Sequence, residues 1–147
     1  MNRYVCGLLF NPENTFVVLI KKNKPEWQVG LLNGVGGKIE PGESPLQAIV
    51  REFKEEAGLV VPNWKHFLRV NDRVWYVDFF KAQSAEFSSV KSMTDEEVVI
   101  VGVDTFYTRK TIPNLRWIIP MCLDPNHSDG IVHTKKVFLD DNRTRYL

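Results

Sequence analysis

The order of apolar and polar positions predicts a domain in which strands outnumber helices. Six runs rich in β-branched or aromatic residues are predicted strands: 3–10, 15–22, 64–70, 73–82, 96–106 and 133–140. The first two runs flank NPEN and the next two flank Asn71 and Asp72, so each pair predicts a hairpin. Residues 112–123 predict a helical segment that is interrupted at Pro120.

The clearest helix signal runs from residue 44 to residue 57. Ser44 suits the N-cap, and Gln47, three residues later, completes a capping box. Pro45 suits the first helical position, while Gly58 marks the C-terminal stop. The apolar side chains fall within one arc of roughly 100°. They predict a core-facing stripe of Leu46, Ile49, Val50, Phe53 and Ala57.

Three glutamates lie on the arc beside this stripe. Glu52, Glu55 and Glu56 point to one side of the helix within about one and a half turns. Their like charges repel, and the C-terminal half of a helix disfavours anions. Because a divalent cation would reverse both penalties, the cluster favours a Mg²⁺ or Mn²⁺ site, the alternative being a solvated acidic face. Arg51 is either a surface ion-pair partner or a guanidinium that orients one glutamate.

Composition and charge add few constraints. A chain of 147 residues with 44% hydrophobic residues predicts one globular domain over residues 1–147. A net charge of +1 gives no support for a nucleic-acid polymer or a membrane as partner. Cys6 and Cys122 lie in apolar runs without a CxxC motif, which favours buried, reduced thiols. Neither a signal peptide nor a transmembrane helix is predicted, so a cytoplasmic location is expected.

The spacing around the helix carries the most specific signal. Gly37 is followed after five residues by Glu43, and Glu43 after seven residues by REFKEEAGL at 51–59. This pattern resembles the Nudix box at every fixed position, and its chance occurrence is on the order of 10⁻⁸ per starting position. The resemblance is specific over residues 37–59 and looser elsewhere. It implies an α+β domain of the Nudix fold, an α-β-α sandwich with a central mixed sheet and the Nudix loop-helix-loop.

The resemblance also implies a metal site. Box glutamates of the family bind Mg²⁺ or Mn²⁺ on the pyrophosphate of a nucleoside diphosphate linked to another moiety. By this analogy Glu55 and Glu56 are the firmest metal ligands, Glu55 is also a catalytic residue, and Glu52 is the catalytic ligand or base nearest the attacking water. Arg51 is then expected to orient Glu52, and the carbonyl of Gly36 to add a metal contact.

Two further carboxylate assignments follow from the resemblance. Glu43 is expected to hold the box loop rather than to bind metal. Family members often use one more glutamate from a loop after the box, and MTDEEVV is the acidic cluster that precedes a predicted strand there. Glu97 is the first choice for this metal-binding and catalytic glutamate, and Glu96 is the second. A turn exposed to solvent is the alternative for both.

Substrate-binding candidates come from two segments. LLNGVGGK resembles a run of the MutT-like branch, although Leu32 stands where that branch often has tryptophan. Asn33 is either a reader of a purine edge or a turn asparagine, and Lys38 either contacts a phosphate or is solvated. Asn114 is either a helix cap or a base contact. Trp117 is either a core residue or an aromatic that stacks on the base.

The resemblance implies an enzyme that hydrolyses nucleoside or deoxynucleoside triphosphates, oxidised purines included, to a monophosphate and pyrophosphate. A second possibility is a hydrolase of dinucleoside polyphosphates, ADP-ribose or another nucleotide sugar, for which Tyr76 is a weak indication. A third is a nucleotide-sensing module without turnover, although such modules usually lose box glutamates and this chain keeps them. The expected partner is a nucleotide, and the expected state is a monomer or a homodimer.

Overall fold

The computed structural model describes residues 1–133 and the strands at 136–138 and 144–146. The strands are β1 Asn2–Phe10, β2 Phe16–Lys21, β3 Leu32–Asn33, β4 Val35–Lys38, β5 Lys65–Asn71, β6 Trp75–Gln83, β7 Glu97–Gly102, β8 Ile131–His133, β9 Lys136–Phe138 and β10 Thr144–Tyr146. The α-helices are α1 Pro45–Ala57 and α2 Leu115–Leu123, and short 3-10 helices span Glu26–Gln28, Phe87–Ser89 and Phe106–Thr108.

Strand β1 lies at the centre of a mixed sheet. It pairs in parallel with β6 and antiparallel with both β2 and β4. The main order is β3-β2-β1-β6-β5-β8, with β7 added to β2, while β9 and β10 form a separate antiparallel pair. The predicted hairpins are confirmed by the β1–β2 and β5–β6 pairings.

Two hydrophobic cores cover the two faces of the sheet. Because successive side chains of a strand point to opposite faces, Leu9 packs in the core that contains α1 and Leu8 in the core that contains α2. One helix therefore covers each face, which confirms the predicted α-β-α sandwich. In the part of the chain that the structure describes, no helix has both the length and the apolar character that crossing a membrane requires.

Helix α1 has the predicted boundaries and caps. The Ser44 hydroxyl accepts a hydrogen bond from the backbone N–H of Gln47, the Gln47 side chain completes the capping box, and Gly58 adopts a left-handed φ of 73°. The predicted stripe is wrong at one position, because Leu46 is 44% exposed and Ala48 is fully buried in its place. Periodicity identifies apolar side chains but does not show where the helix crosses the sheet.

Other predictions need correction. Helix α2 continues through Pro120, which is exposed, so water can satisfy the carbonyl that the missing N–H leaves free. The strand predicted over residues 133–140 is not one closing strand, since His133 ends β8 and residues 136–138 form β9. Residues 134, 135, 139 and 140 lie outside the described part. Both cysteines are buried and unpaired, and burial raises each thiol pKa to about 12.

Candidate active site

Strand β4 and helix α1 bring the predicted carboxylates against glycine backbone. A Cβ at Gly37 would lie 2.6 Å from Cδ of Glu52, so a side chain here would displace that carboxylate. A Cβ at Gly36 would collide with the carbonyl oxygen of Val5, because β4 pairs with β1 at this point. The two glycines therefore allow the strands to pair while the Glu52 carboxylate packs directly over the backbone.

Arg51 links the box loop to the helix. Its Nε and Nη2 donate to the two carboxylate oxygens of Glu43 at 2.7 and 2.8 Å, and Nη1 donates to Oε1 of Glu52 at 2.8 Å. Further bonds reach the carbonyl of Lys38 at 3.1 Å and Oε2 of Glu55 at 3.2 Å. Such a fork restricts the orientation of the Glu43 and Glu52 carboxylates.

These contacts set the charge state of the loop. Hydrogen bonding from Arg51 lowers the pKa of Glu43 to about 2. The hydrogen bonds of Arg51 to Glu43, and to a smaller extent to Glu52, raise the pKa of Arg51. For Glu52 the largest cause is burial, which raises its pKa although Arg51 opposes the change. Glu52 is thus a carboxylate that is partly removed from solvent and held by one cation.

Glu56 does not lie on a solvated acidic face, the alternative for the cluster. Its side chain is partly buried, and Oε2 is buried without any hydrogen-bond partner in the described structure. Burial is the main cause that raises its pKa to about 7, and repulsion from Glu52 and Glu96 adds to it. Lys22 and the backbone of Gly36 act in the opposite direction. An unpartnered carboxylate oxygen among other carboxylates is the environment that a bound cation would stabilise.

The glutamate after the box that faces this group is Glu96, the second choice of the sequence analysis. Glu96 is 2% exposed, and its carboxylate accepts bonds from Lys22 Nζ at 3.1 Å and from the N–H of Asn23 at 2.6 Å. Glu97, the first choice, is exposed at the start of β7, paired with Lys21 in the β2–β7 ladder. The pairing of β7 with β2 leaves Glu96 buried and Glu97 exposed, and a single sequence contains no signal for that register.

The segment before Glu96 is attached to the end of α1. The N–H of Lys91 donates to the carbonyl of Ala57 at 2.9 Å, and the N–H of Met93 donates to the carbonyl of Glu56 at 3.2 Å. These bonds satisfy carbonyl groups that the helix C-terminus leaves free. They also hold the loop that carries Glu96 beside the carboxylates of the helix.

The donor set fits a hard divalent cation, although the carboxylates do not converge as a complete cage. Within residues 1–133, no group of three His, Cys, Asp or Glu side chains is already arranged to hold a metal. Glu52 and Glu55 point to Arg51 instead, whereas Oε2 of Glu56 has no partner. Mg²⁺ typically takes one or two protein carboxylates and completes its shell with water and phosphate oxygens, so the fit does not require a full cage.

The side chain of Asn33 contacts neighbouring protein groups. Its Oδ1 accepts the N–H of Gly34 at 2.8 Å and lies 3.9 Å from Sγ of Cys6, while its Nδ2 lies 3.4 Å from Oε1 of Gln28. This geometry favours the interpretation as a turn asparagine over that of a free base-reading amide. Gln28 is a neighbour that the sequence analysis did not single out.

Asn114 has a free amide oxygen. It occupies the N-cap position of α2 but makes no side-chain capping bond, and its Oδ1 is buried without a partner. The hydroxyl of Thr111, missed in the sequence analysis, is also buried and unpartnered. The N–H of Ile112 donates to the carbonyl of Leu32 at 2.9 Å, so this loop lies beside the end of β3. Trp117 is 39% exposed, which is unlike a core residue.

The two remaining candidates differ in their surroundings. Lys38 is exposed, and its backbone carbonyl, not its ammonium group, carries its described contact with Arg51. Tyr76 carries the guanidinium of Arg69 over its ring at 4.1 Å. One face of that ring is therefore already covered, which weakens its indication of a dinucleotide.

Comparison with known proteins gives a family match and short matches to individual proteins. The model of the NUDIX domain family matches residues 1–118. The 8-oxo-dGTP diphosphatase of Escherichia coli (strain K12) is 36% identical over 61 residues, which are 42% of this chain and 46% of that protein. The CTP pyrophosphohydrolase of the same organism is 44% identical over 43 residues, 29% of this chain and 32% of that protein. These matches span less than half the length of either relative.

Solved structures share the fold. The crystal structure of the mutator MutT protein from Bacillus halodurans superposes with a TM-score of 0.71, covering 100% of this chain and 97% of that chain at 21% sequence identity. At this identity the likeness concerns the fold alone. It agrees with the mixed sheet between two helices.

Proposed function

This chain belongs to the NUDIX domain family, and from that premise we propose that it hydrolyses a phosphoanhydride of a nucleoside or deoxynucleoside triphosphate. The products are a nucleoside monophosphate and pyrophosphate. The observation that carries the proposal is the buried, unpartnered Oε2 of Glu56, which lies among carboxylates next to the backbone of Gly36. A structural role in packing does not account for an acidic group in that position.

Mg²⁺ or Mn²⁺ is the proposed cofactor. Glu52, Glu55 and Glu56 would hold it, with Glu96 and the carbonyl of Gly36 as additional oxygen donors. When bound, such an ion neutralises charge on the phosphates and lowers the pKa of a coordinated water. Glu96 takes the place that the sequence analysis gave first to Glu97, because its carboxylate faces Glu56 and that of Glu97 is exposed.

The protein side chains accept the proton of the attacking water and orient the carboxylate that accepts it. Glu52 accepts the proton of the attacking water, since a carboxyl whose pKa is raised by burial is a better base than an exposed one. Arg51 holds Glu52 through the bond at 2.8 Å and is itself held by Glu43. A mobile carboxylate would need to be ordered in the transition state, and this ion-pair chain removes that requirement.

The proposal of a triphosphate substrate has support from both relatives. Their names, 8-oxo-dGTP diphosphatase and CTP pyrophosphohydrolase, refer to triphosphates with different bases. In this chain the unpartnered Oδ1 of Asn114 and hydroxyl of Thr111 are proposed to contact the base. Trp117 is proposed to lie beside the base, and Asn33 to support this part of the site through its local hydrogen bonds. Lys38 is proposed to contact a phosphate.

The test is a substrate panel with Mg²⁺, containing canonical and oxidised nucleoside triphosphates, ADP-ribose and diadenosine polyphosphates. We expect turnover that requires the metal, is abolished by EDTA and releases pyrophosphate from triphosphates. The variant Glu56→Gln should lose this activity, whereas Glu86→Gln, which removes an exposed charge elsewhere, should retain it. Preferred cleavage of ADP-ribose or a dinucleotide would refute the substrate class. Tight nucleotide binding without hydrolysis would indicate a sensor.

A further inference from the structure

Lys22 and Glu96 form a buried ion pair inside the candidate active site. The ammonium group of Lys22 donates to Oε1 of Glu96 at 3.1 Å, and the exposed fractions of the two side chains are 15% and 3%. Oε2 of the same carboxylate accepts the N–H of Asn23 at 2.6 Å. Both oxygens of Glu96 are therefore occupied by donors of the protein, although Glu96 is also proposed as an oxygen donor to a divalent cation.

The backbone of Lys22 is held on both of its polar groups. Its N–H donates to the carbonyl of Leu31 at 2.9 Å, and its carbonyl accepts the N–H of Gly30 at 2.8 Å. The ammonium group therefore reaches Glu96 from a fixed point at the end of β2. This distinguishes the pair from an ion pair between two mobile surface side chains, which has little energetic consequence.

The neighbouring residues provide a matched pair on the surface. Lys21 and Glu97 are partners in the β2–β7 ladder, and both are exposed. Lys22 and Glu96 lie one position further along each chain segment and are buried together. The two pairs carry the same charges, so a comparison between them separates the effect of burial in the site from the effect of charge alone.

The charge of Lys22 also acts on Glu56. Burial is the main cause that raises the pKa of Glu56, and Lys22 opposes this change. At the Cys6 thiol, where burial again has the largest effect, Lys22 lowers the pKa and Glu56 raises it. Because both charges act on the same buried thiol, the ammonium group and the Glu56 carboxylate lie in one small region. Lys22 thus faces two carboxylates of the proposed metal site.

A cation at this place affects metal binding in two ways. A divalent ion that uses Glu96 must compete with the ammonium group for the carboxylate oxygen, and it is also repelled by the positive charge. The ion pair in turn compensates the cost of burying the Glu96 carboxylate. Lys22 therefore stabilises the carboxylate cluster and opposes the binding of another cation to it.

We propose that Lys22 is a positioning residue that acts as the internal counter-ion of Glu96 and limits the affinity of the nucleotide-free enzyme for divalent cations. The ammonium group holds the carboxylate in the site and must move away before the carboxylate can become a metal ligand. The inference rests on the metal site of the proposed function. It adds a role for a residue outside the box.

The first experiment measures Mn²⁺ binding to the nucleotide-free protein by electron paramagnetic resonance of the free ion. Lys22→Gln removes the charge but keeps a donor for Glu96, Lys22→Arg keeps the charge, and Lys21→Gln is the exposed control. A neighbouring unit charge changes the proton affinity of a group by about ten- to a thousandfold. We therefore expect Lys22→Gln to bind Mn²⁺ at least about tenfold more tightly, and the other two variants to stay within about twofold of the wild type.

The second experiment uses the wild type, so it does not depend on the folding of a variant. Amine acetylation followed by mass spectrometry compares the reactivity of Lys22 and Lys21 in EDTA and in saturating Mg²⁺. Release from Glu96 should make Lys22 more reactive when Mg²⁺ is present. Lys21 should not change, because it is exposed in the β2–β7 ladder and not part of the buried pair.

Unchanged or weaker Mn²⁺ binding by Lys22→Gln would overturn the inference, since a residue that only orients Glu96 for the metal gives that result. Unchanged reactivity of Lys22 in Mg²⁺ would overturn it as well. The gain in affinity should disappear when Lys22→Gln is combined with Glu96→Gln, and a retained gain would contradict action through Glu96. Metal-dependent turnover with normal Mn²⁺ affinity in Lys22→Gln would leave the proposed function standing, whereas tighter binding without any turnover would refute only the function.

Discussion

Replacing Glu56 with Gln should stabilise the metal-free protein while it removes activity. The carboxyl is partly buried, has an oxygen without a partner, and has a pKa of about 7 in the folded protein against an ordinary value of 4.5. Folding therefore favours the protonated form. Stability from this group is fully present below pH 4.5 and is lost as the pH rises through about 7. The neutral amide introduced by Glu56→Gln would resemble the protonated carboxyl at every pH.

The size of the effect follows from the two pKa values. Each pKa unit corresponds to about 1.4 kcal/mol, so the difference between 4.5 and about 7 amounts to at most about 3.5 kcal/mol well above pH 7. Because part of the side chain borders solvent, about 2 to 3 kcal/mol is the expected gain for Glu56→Gln at pH 8. Near pH 4.5 the gain should be close to zero.

The assay is urea unfolding with EDTA present, at several pH values from about 4.5 to 8.5, for wild type, Glu56→Gln and Glu55→Gln. The side chain of Glu55 is 56% exposed, so its variant should differ from wild type by less than about 1 kcal/mol throughout. Adding Mg²⁺ should raise the free energy of unfolding of the wild type more than that of Glu56→Gln. If Glu56→Gln gains no stability between about pH 5 and pH 8, the assigned environment of Glu56 is wrong.

Three further predictions concern groups around Glu56. A lysine at position 51 cannot make the two bonds to Glu43 together with the bond to Glu52. Arg51→Lys should therefore lower kcat at least about tenfold in a kinetic assay and lower the free energy of unfolding in urea by about 1–3 kcal/mol. Glu96→Gln should reduce metal-dependent turnover at least about tenfold, whereas Glu97→Gln should stay within about twofold; the reverse order would restore Glu97. Gly37→Ala should lower kcat by displacing the Glu52 carboxylate, and normal kcat with an unchanged pH profile would contradict that contact.

The helix and its loop were predictable because their determinants are local. Ser44, Gln47 and Gly58 define the ends of α1 through contacts within a few residues, and the structure has all of them. The spacing of the glutamates also follows from helical geometry, since residues three and four apart lie on one side. Local sequence signals also predicted the two hairpins and the presence of α2, but they wrongly predicted that Pro120 interrupts this helix.

Contacts between distant segments determined the rest. Glu96 and Glu97 are adjacent in sequence, and the pairing of β7 with β2 buries the first and exposes the second. Glu56 lies beside the backbone of Gly36 in β4, and residues 91–93 bond to the end of α1 that carries it.

The sequence by itself determined the α1 helix, its caps and the carboxylate spacing, because neighbours three or four residues apart specify them. Only the tertiary structure decided which carboxylates are buried and which cations lie beside them. Strand register and helix position depend on contacts summed over the whole core, and a shift of one residue reverses the face of every side chain in a strand. The chemistry can therefore be predicted from the box, whereas the electrostatic environment of Glu56 and the ion pair of Lys22 with Glu96 are properties of the fold.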